Sequence, residues 1–300
     1  MLDKLVLATL PYVPRPVMRR LASRYIAGEK LEEALAKLAD LARRGYPGIL
    51  DILGEHVADA DAARAAARSY AQAAAAVANA KLDAYVSVKP THLGLLLDEE
   101  LCLHLYSGLA TRCREIGLRV RVEMEDHPTT DATLRVFEAL RKSFDNVGIV
   151  LQSRLLRTPA DIDALTPGPL DVRLVKGIYL EPATIAHVDP EPIRAAYVVC
   201  ARRLLVRGAR LGFATHDDGL AERCLLEVRA ADAAPDRYEF QVLLGVREEL
   251  WARWKDAGHT VRVYVPFGPE WRAYSQRRLR KNPQILRHVM RDALGLGPSK

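Results

Sequence analysis

Tyr274, Arg277 and Arg278 stand at positions i, i+3 and i+4, a spacing that sets them on one face of a helix. Two adjacent guanidinium groups beside a phenol make a receptor for a small carboxylate, because each guanidinium can donate paired hydrogen bonds. Tyr264 lies upstream, near the end of the apolar run 261–265, and would bring a second ring. Phe267-Gly268-Pro269 breaks that run. Pro269 suits the first turn of the helix that follows, and Glu270 suits the positive end of its dipole. Arg272, Arg280 and Lys281 are also cationic, so a basic solvated helix is the other reading of the same stretch.

Further polar groups recur where other apolar runs end. They are Gly54-Glu55-His56, Lys89-Pro90-Thr91, Glu123-Met124-Glu125-Asp126-His127, Gln152-Ser153-Arg154, Lys176-Gly177-Ile178-Tyr179 and Thr215-His216-Asp217. Gln152 and Arg173 are the most telling, because a strand interior tolerates them poorly unless they face a ligand. Glu125 and Asp126 read as a solvated acidic turn. His216 is either a strand-end histidine with a structural hydrogen bond or a catalyst. Lys89 and Lys176 could each form a Schiff base if their pKa were lowered. His127 and His216 have no H-E-x-x-H context or tight ligand spacing, so no metal site is expected.

The runs that must position these groups are 46–54, 84–89, 118–124, 147–152, 172–179, 211–216, 238–244 and 261–265. Helical stretches separate them, the clearest being the alanine-rich 60–80. Such alternation predicts an α/β fold, a closed TIM-like (β/α)8 barrel with its chemistry at the C-terminal ends of the strands. A doubly wound open sheet is the alternative, but no G-x-G-x-x-G follows any run, so no Rossmann dinucleotide site is expected. The 300 residues suit a barrel, which needs about 250. Residues 1–45 are expected as an N-terminal helical arm and 46–300 as the barrel. Leu31, Ala34, Leu35, Leu38 and Leu41 follow helical spacing in that arm, and Gly45 ends the run. The arm would pack on the barrel or mediate oligomerisation.

An apolar fraction of 49% and a charged fraction of 27% are those of an ordinary globular chain. A net charge of +6 suits an anionic cofactor, an acidic metabolite or a membrane surface. The basic residues form no aromatic-interleaved patch, so nucleic acid is not an expected partner. Cys102, Cys113, Cys200 and Cys224 are scattered, with no C-x-x-C, and read as buried reduced thiols of a cytoplasmic protein. The apolar run at the N-terminus is stopped by Pro11, too soon for a signal peptide or a spanning helix.

Taken together, the motifs resemble the proline dehydrogenase family. They are Leu-Asp-Ile-Leu-Gly-Glu (50–55), Val-Ser-Val-Lys (86–89), Val-Arg-Val-Glu-Met-Glu-Asp (120–126), Gly-Ile-Val-Leu-Gln (148–152), Val-Arg-Leu-Val-Lys-Gly-Ile-Tyr (172–179), Phe-Ala-Thr-His-Asp (213–217), Glu-Phe-Gln-Val-Leu-Leu-Gly-Val (239–246), Val-Tyr-Val-Pro-Phe-Gly (263–268) and Tyr-Ser-Gln-Arg-Arg (274–278). Each is weak alone; in this order they are specific. The resemblance implies a distorted (β/α)8 barrel that binds FAD and transfers hydride from L-proline to flavin N5, giving 1-pyrroline-5-carboxylate. Arg277, Arg278 and Lys89 would grip the substrate carboxylate, with Glu55 pairing with Arg277 as a gate. Tyr264, Tyr274, Leu174 and Tyr179 would pack the ring, and Glu123 would complete the catalytic set. Met124, Gln152, Arg173, Lys176, Gly177, Thr215 and His216 would hold the cofactor. The implied electron acceptor is a quinone, with peripheral contact at the inner membrane face. The family usually has Glu where this chain has Lys281, Asp at Glu123 and Ala at Ile178. Ile178 would take up room near the ring, and together these departures would shift substrate preference, weaken proline binding or mark a relative working on another cyclic amino acid. A Schiff-base lyase and a non-catalytic ligand-binding barrel are the competing classes.

Overall fold

Eight parallel strands close into a barrel in a computed structural model that describes residues 18–19, 22–272 and 274–275. The strands are β1 (Gly48–Ile52), β2 (Ala84–Val88), β3 (Val120–Val122), β4 (Val147–Gln152), β5 (Asp171–Val175), β6 (Arg210–Ala214), β7 (Tyr238–Leu243) and β8 (Val261–Phe267). Their order is sequential, and β1 pairs with both β2 and β8. The helices are α1 (Leu31–Arg43), α2 (Ala60–Asn79), α3 (Glu99–Glu115), α4 (Thr130–Arg141), α5 (Thr158–Ala164), α6 (Pro190–Val206), α7 (Asp218–Ala230) and α8 (Glu248–Asp256). The barrel predicted from sequence is the fold observed.

Asp59, Asp98 and Asp217 start α2, α3 and α7 by accepting backbone N–H groups of the first turn, which would otherwise have no partner. In α2 the buried positions Ala63, Ala66, Tyr70, Ala73, Ala74 and Val77 repeat every three to four residues, so one face packs inward.

Strand alternation assigns two unlike faces. Leu50, Val86, Val122, Leu174, Phe213 and Val263 point outward into the apolar layer shared with the helices. The opposite positions carry Asp51, Ser87, Arg121, Arg173, Gln241 and Arg262, all buried inside. Arg121 pairs with Asp171 at 2.7 Å, and Arg262 with Glu239 at 2.9 Å. Each of these guanidinium groups also lies 5.3 Å from the centre of the Tyr85 ring. Desolvating such charges is costly, so the pairing has to be close. Two glycines make room for it: a Cβ at Gly148 would come within 2.7 Å of Arg121 Nη1, and one at Gly212 within 2.4 Å of Gln241 Nε2.

Side chains of the following helices hold the strand ends. The hydroxyls of Tyr70, Tyr106 and Tyr197 donate to the carbonyls of Ile52 (3.1 Å), Val88 (2.7 Å) and Leu174 (2.7 Å). Thr158 Oγ1 does the same for Gln152, at 2.6 Å.

Every strand but β4 differs from expectation at one end or both, and three cases have a visible outcome in the chain path. β5 stops at Val175 because the chain turns at Gly177, with φ of +99°. β3 shrinks to Val120–Val122. β8 runs on through Pro266 to Phe267. Pro266 has no N–H to donate, but β7 pairs with β8 only as far as Tyr264. Nothing in the ladder is lost there, and the Pro266 carbonyl accepts from Ala27 N at 2.9 Å.

The outer seam between β8 and β1 is filled by α1, whose Leu38 and Leu41 are buried. A Cβ at Gly48 would sit 2.2 Å from Leu38 Cδ2, so the helix lies close on the seam. The segment before α1 runs along the rim, where Gly28 O accepts from Gly268 N at 3.0 Å and Glu29 accepts from Trp271 Nε1 at 2.5 Å. Among the described residues, no helix is long and apolar enough to cross a membrane. All four cysteines are buried and free, and burial raises the thiols of Cys113, Cys200 and Cys224 to about 12.

Candidate active site

Glu123, just past β3, is the hub of the barrel mouth. Its Oε1 accepts from Ser87 Oγ at 2.5 Å, Arg173 Nη1 at 2.8 Å and Tyr264 OH at 3.3 Å. The Arg173 guanidinium carbon lies 4.4 Å from the centre of the Tyr264 ring, a cation–π contact that fixes both. Burial works against the charge of Arg173, but Glu123, with lesser help from Tyr264 and Tyr85, leaves its pKa above the usual value. The Tyr264 phenol is driven well up by burial and then by Asp51 and Glu123, so it stays protonated and donates.

Lys89 reaches back to Asp51, and both carboxylate oxygens lie near Nζ, at 3.1 and 3.2 Å. Beside this pair, Glu125 accepts from Thr91 N at 2.9 Å and Thr91 Oγ1 at 2.7 Å, while its own carbonyl accepts from Gln152 Nε2 at 2.8 Å. Burial raises the Glu125 carboxyl, and the two Thr91 bonds only partly offset it. Glu55, His56 and Glu125 bring side-chain donor atoms within 4.8 Å of one another on the same rim. Burial, then Glu125, Glu55 and Glu123, push up the Tyr179 phenol.

A second polar group lies at the ends of β5 and β6. Asp217 Oδ2 accepts from Lys176 Nζ and from Arg194 Nε, both at 2.7 Å. Burial opposes its charge, but these two cations hold the carboxyl well below its usual range. Asp217 N donates to Thr215 Oγ1 at 3.1 Å. Leu243 N donates to His216 Nε2 at 3.0 Å, so a neutral His216 carries its proton on Nδ1. A Cβ at Gly177 would come within 2.8 Å of Gln152 Oε1, so the β5 turn passes close over the β4 end.

The structure thus gathers Glu55, Lys89, Glu123, Gln152, Arg173, Lys176, Gly177, Tyr179, Thr215, His216 and Tyr264 around one mouth. Tyr274 lies seven residues after the end of β8, its N–H donating to Glu270 O at 3.1 Å. Arg277, Arg278 and Lys281 lie outside the described residues. Three expectations need correction. Leu174 points away from the mouth, because alternation sends it outward when Arg173 points in. The Met124 side chain packs in that same outer layer, leaving only its backbone at the rim. Glu125 is buried, not part of a solvated turn, because Thr91 supplies it with two donors. Ile178 is 66% exposed at the rim. Asp51, Ser87 and Arg194 went unremarked as single residues. Asp51 and Ser87 pair in register across β1 and β2, and a polar residue in each of two apolar strands was the available signal.

The profile of the proline dehydrogenase family matches residues 34–291. The proline dehydrogenase of Deinococcus radiodurans is 34% identical over 93% of this chain and 92% of its own length. Proline dehydrogenase 1 of Bacillus subtilis strain 168 is 30% identical over 91% of this chain and 90% of its own. Among solved structures, proline utilization A of Bdellovibrio bacteriovorus, inactivated by N-propargylglycine, superposes with a TM-score of 0.81 at 25% identity. That match covers 91% of this chain but 34% of the larger protein, so the chain spans about a third of its length. On sequence and fold alike, this chain belongs to the proline dehydrogenase family and is an oxidoreductase.

Proposed function

We propose that the enzyme oxidises L-proline to 1-pyrroline-5-carboxylate with FAD and passes the electrons to a quinone. The observation that carries this reading is the convergence of Lys89, Glu123, Arg173 and Tyr264 on one mouth, with an aromatic face and a cation beside each other. The residues present fit a flavin. Arg173 Nε is buried with no hydrogen-bond partner among the described residues, a donor suited to an acceptor-rich ring. Gln152, Lys176, Thr215 and His216 would hold the cofactor along the β4–β6 side. Bound FAD supplies the two-electron acceptor, and the chain supplies orientation and charge.

Lys89 would take the substrate carboxylate, joined by Arg277 and Arg278. Tyr264 and Tyr274 would flank the pyrrolidine ring and exclude water. Glu123, fixed by three donors, would hold Arg173 charged beside the flavin. The substrate amine has to be neutral before hydride leaves, so turnover should rise with pH as the bound amine deprotonates. The Schiff-base alternative loses support, since Lys89 and Lys176 are both ion-paired. Apolar side chains on the rim loops, Leu96, Leu97, Leu156, Ile178 and Leu180, are exposed, which supports a mouth facing the surface of a quinone-bearing bilayer.

Anaerobic absorbance spectra test the proposal. The purified protein should show flavin bands that bleach on adding L-proline. Flavin bands that survive L-proline and bleach with another cyclic amino acid would redirect the substrate. Protein without flavin would remove the mechanism.

A further inference from the structure

We infer that Asp51 is a positioning residue for carboxylate recognition, holding the Lys89 ammonium charged and fixed at the floor of the mouth. The kinetic part of this inference rests on the proline-oxidising reading above. Asp51 is 1% exposed, whereas the Lys89 side chain keeps 16%. The carboxylate therefore lies beneath and the ammonium is the member of the pair offered to the mouth. An ammonium has three N–H donors, so contact with Asp51 leaves donors for a ligand.

Stability does not explain the pair. Desolvating two charges is expensive, and a buried ion pair can often be replaced by apolar residues without loss. Apolar neighbours already surround this position: Ile49, Tyr85 and Tyr264 form a small cluster inside the barrel.

The other groups near Lys89 cannot take over the task. From the β3 end, Glu123 already accepts three donors and Glu125 is held by Thr91. From β5, Arg173 is cationic and paired with Glu123. From β8, the Tyr264 hydroxyl serves Glu123 and lies within hydrogen-bonding reach of Asp51. His92, one turn on from Lys89, stays neutral at physiological pH. Among the described residues, Asp51 is the carboxylate bonded to the ammonium. Burial opposes the Lys89 charge, and Asp51 is first among the carboxylates that restore it. With Asp51 neutralised, the ammonium should lose its proton at lower pH and its fixed position at any pH.

The test uses holoenzyme carrying D51N, D51E, K89M or D51N/K89M. KM and kcat for L-proline are measured from about pH 6 to 10, spanning the range in which a perturbed lysine titrates. In parallel, acetic anhydride labelling of Lys89 is followed against pH by mass spectrometry. D51N should raise KM by about tenfold, a loss of ~1.4 kcal/mol, and more steeply as pH rises, with kcat changing far less. The double variant should be no worse than K89M, since both changes remove the same contact. D51E should recover part of the loss. Labelling of Lys89 should reach a given extent at lower pH in D51N than in the parent. Independent, multiplying effects of D51N and K89M, a fall in kcat at constant KM, or an unshifted labelling curve would each overturn the inference. If D51N does not fold, D51S, which also removes the carboxylate, answers the same question: a shifted KM–pH profile supports the inference and an unshifted one rejects it. If the parent does not oxidise proline, the reading of function fails, while the labelling curves still decide the role of Asp51.

Discussion

One carboxylate oxygen of Glu123 collects three donors from three strands, and the arrangement depends on each of them. Ser87 is the smallest contributor and makes the shortest bond, at 2.5 Å. Ser87→Ala should lower kcat/KM by about tenfold, since a hydrogen bond to a charged group is worth ~1.5–3 kcal/mol and part of that is felt in the transition state. Steady-state kinetics check this, with flavin content showing that the cofactor is still bound. A fall confined to thermal stability would mean that Ser87 supports the fold alone. Of this cluster, Arg173 and Gln152 were legible in the sequence because a long polar side chain inside an apolar run demands a reason. Ser87 and Asp51 were not, because a single short polar residue gains meaning only once register sets it opposite a partner. Glu125 was misread for a related cause. Three acids on a turn look solvated until a neighbouring strand end supplies the Thr91 donors.

At the scale of elements, the recurring device is a buried helix side chain that ties down the strand before it. Tyr70, Tyr106 and Tyr197 are each fully buried and donate to a strand-end carbonyl. Replacing any one by Phe removes a single buried hydrogen bond and should cost about 1 kcal/mol. The three lie on separate helices, so the triple variant should lose about 3 kcal/mol. Urea unfolding measures each, and a strongly non-additive triple variant would contradict the idea of independent ties. The strands themselves were readable from apolar runs, but their ends were not. Apolar Ile178 and Tyr179 after Gly177 extended the expected β5, and the actual turn depends on a positive φ that only the backbone reveals. Phe267-Gly268-Pro269 was read as breaking the run 261–265, yet β8 includes Pro266 and Phe267, because the missing Pro266 donor faces a side where β7 has already stopped.

For the whole molecule, His92 links the mouth to acid stability. Its ring packs edge-on against Tyr70, 5.7 Å between centres, and stands where a Cβ on Gly54 would fall. Burial, followed by repulsion from Lys89, lowers its pKa from 6.5 to about 4. The native state therefore holds His92 neutral while the unfolded chain protonates it below pH 6.5. Stability contributed by this group is complete above pH 6.5 and is lost as pH falls toward 4, by at most ~3 kcal/mol before solvent screening is allowed for. His92→Asn should flatten unfolding free energies measured between pH 7.5 and 5, and an unchanged slope would exonerate the residue. The seam occupied by α1 has a different kind of consequence. Gly48 pairs with Val263, so the barrel strand made first waits for the barrel strand made last. Until β8 is synthesised, α1 has no completed surface to cover, and the nascent chain shows sticky residues such as Leu38 and Leu41. Ring closure should then be the slow, late event of biogenesis, and a chain stalled before residue 261 should attract chaperones instead of folding partway.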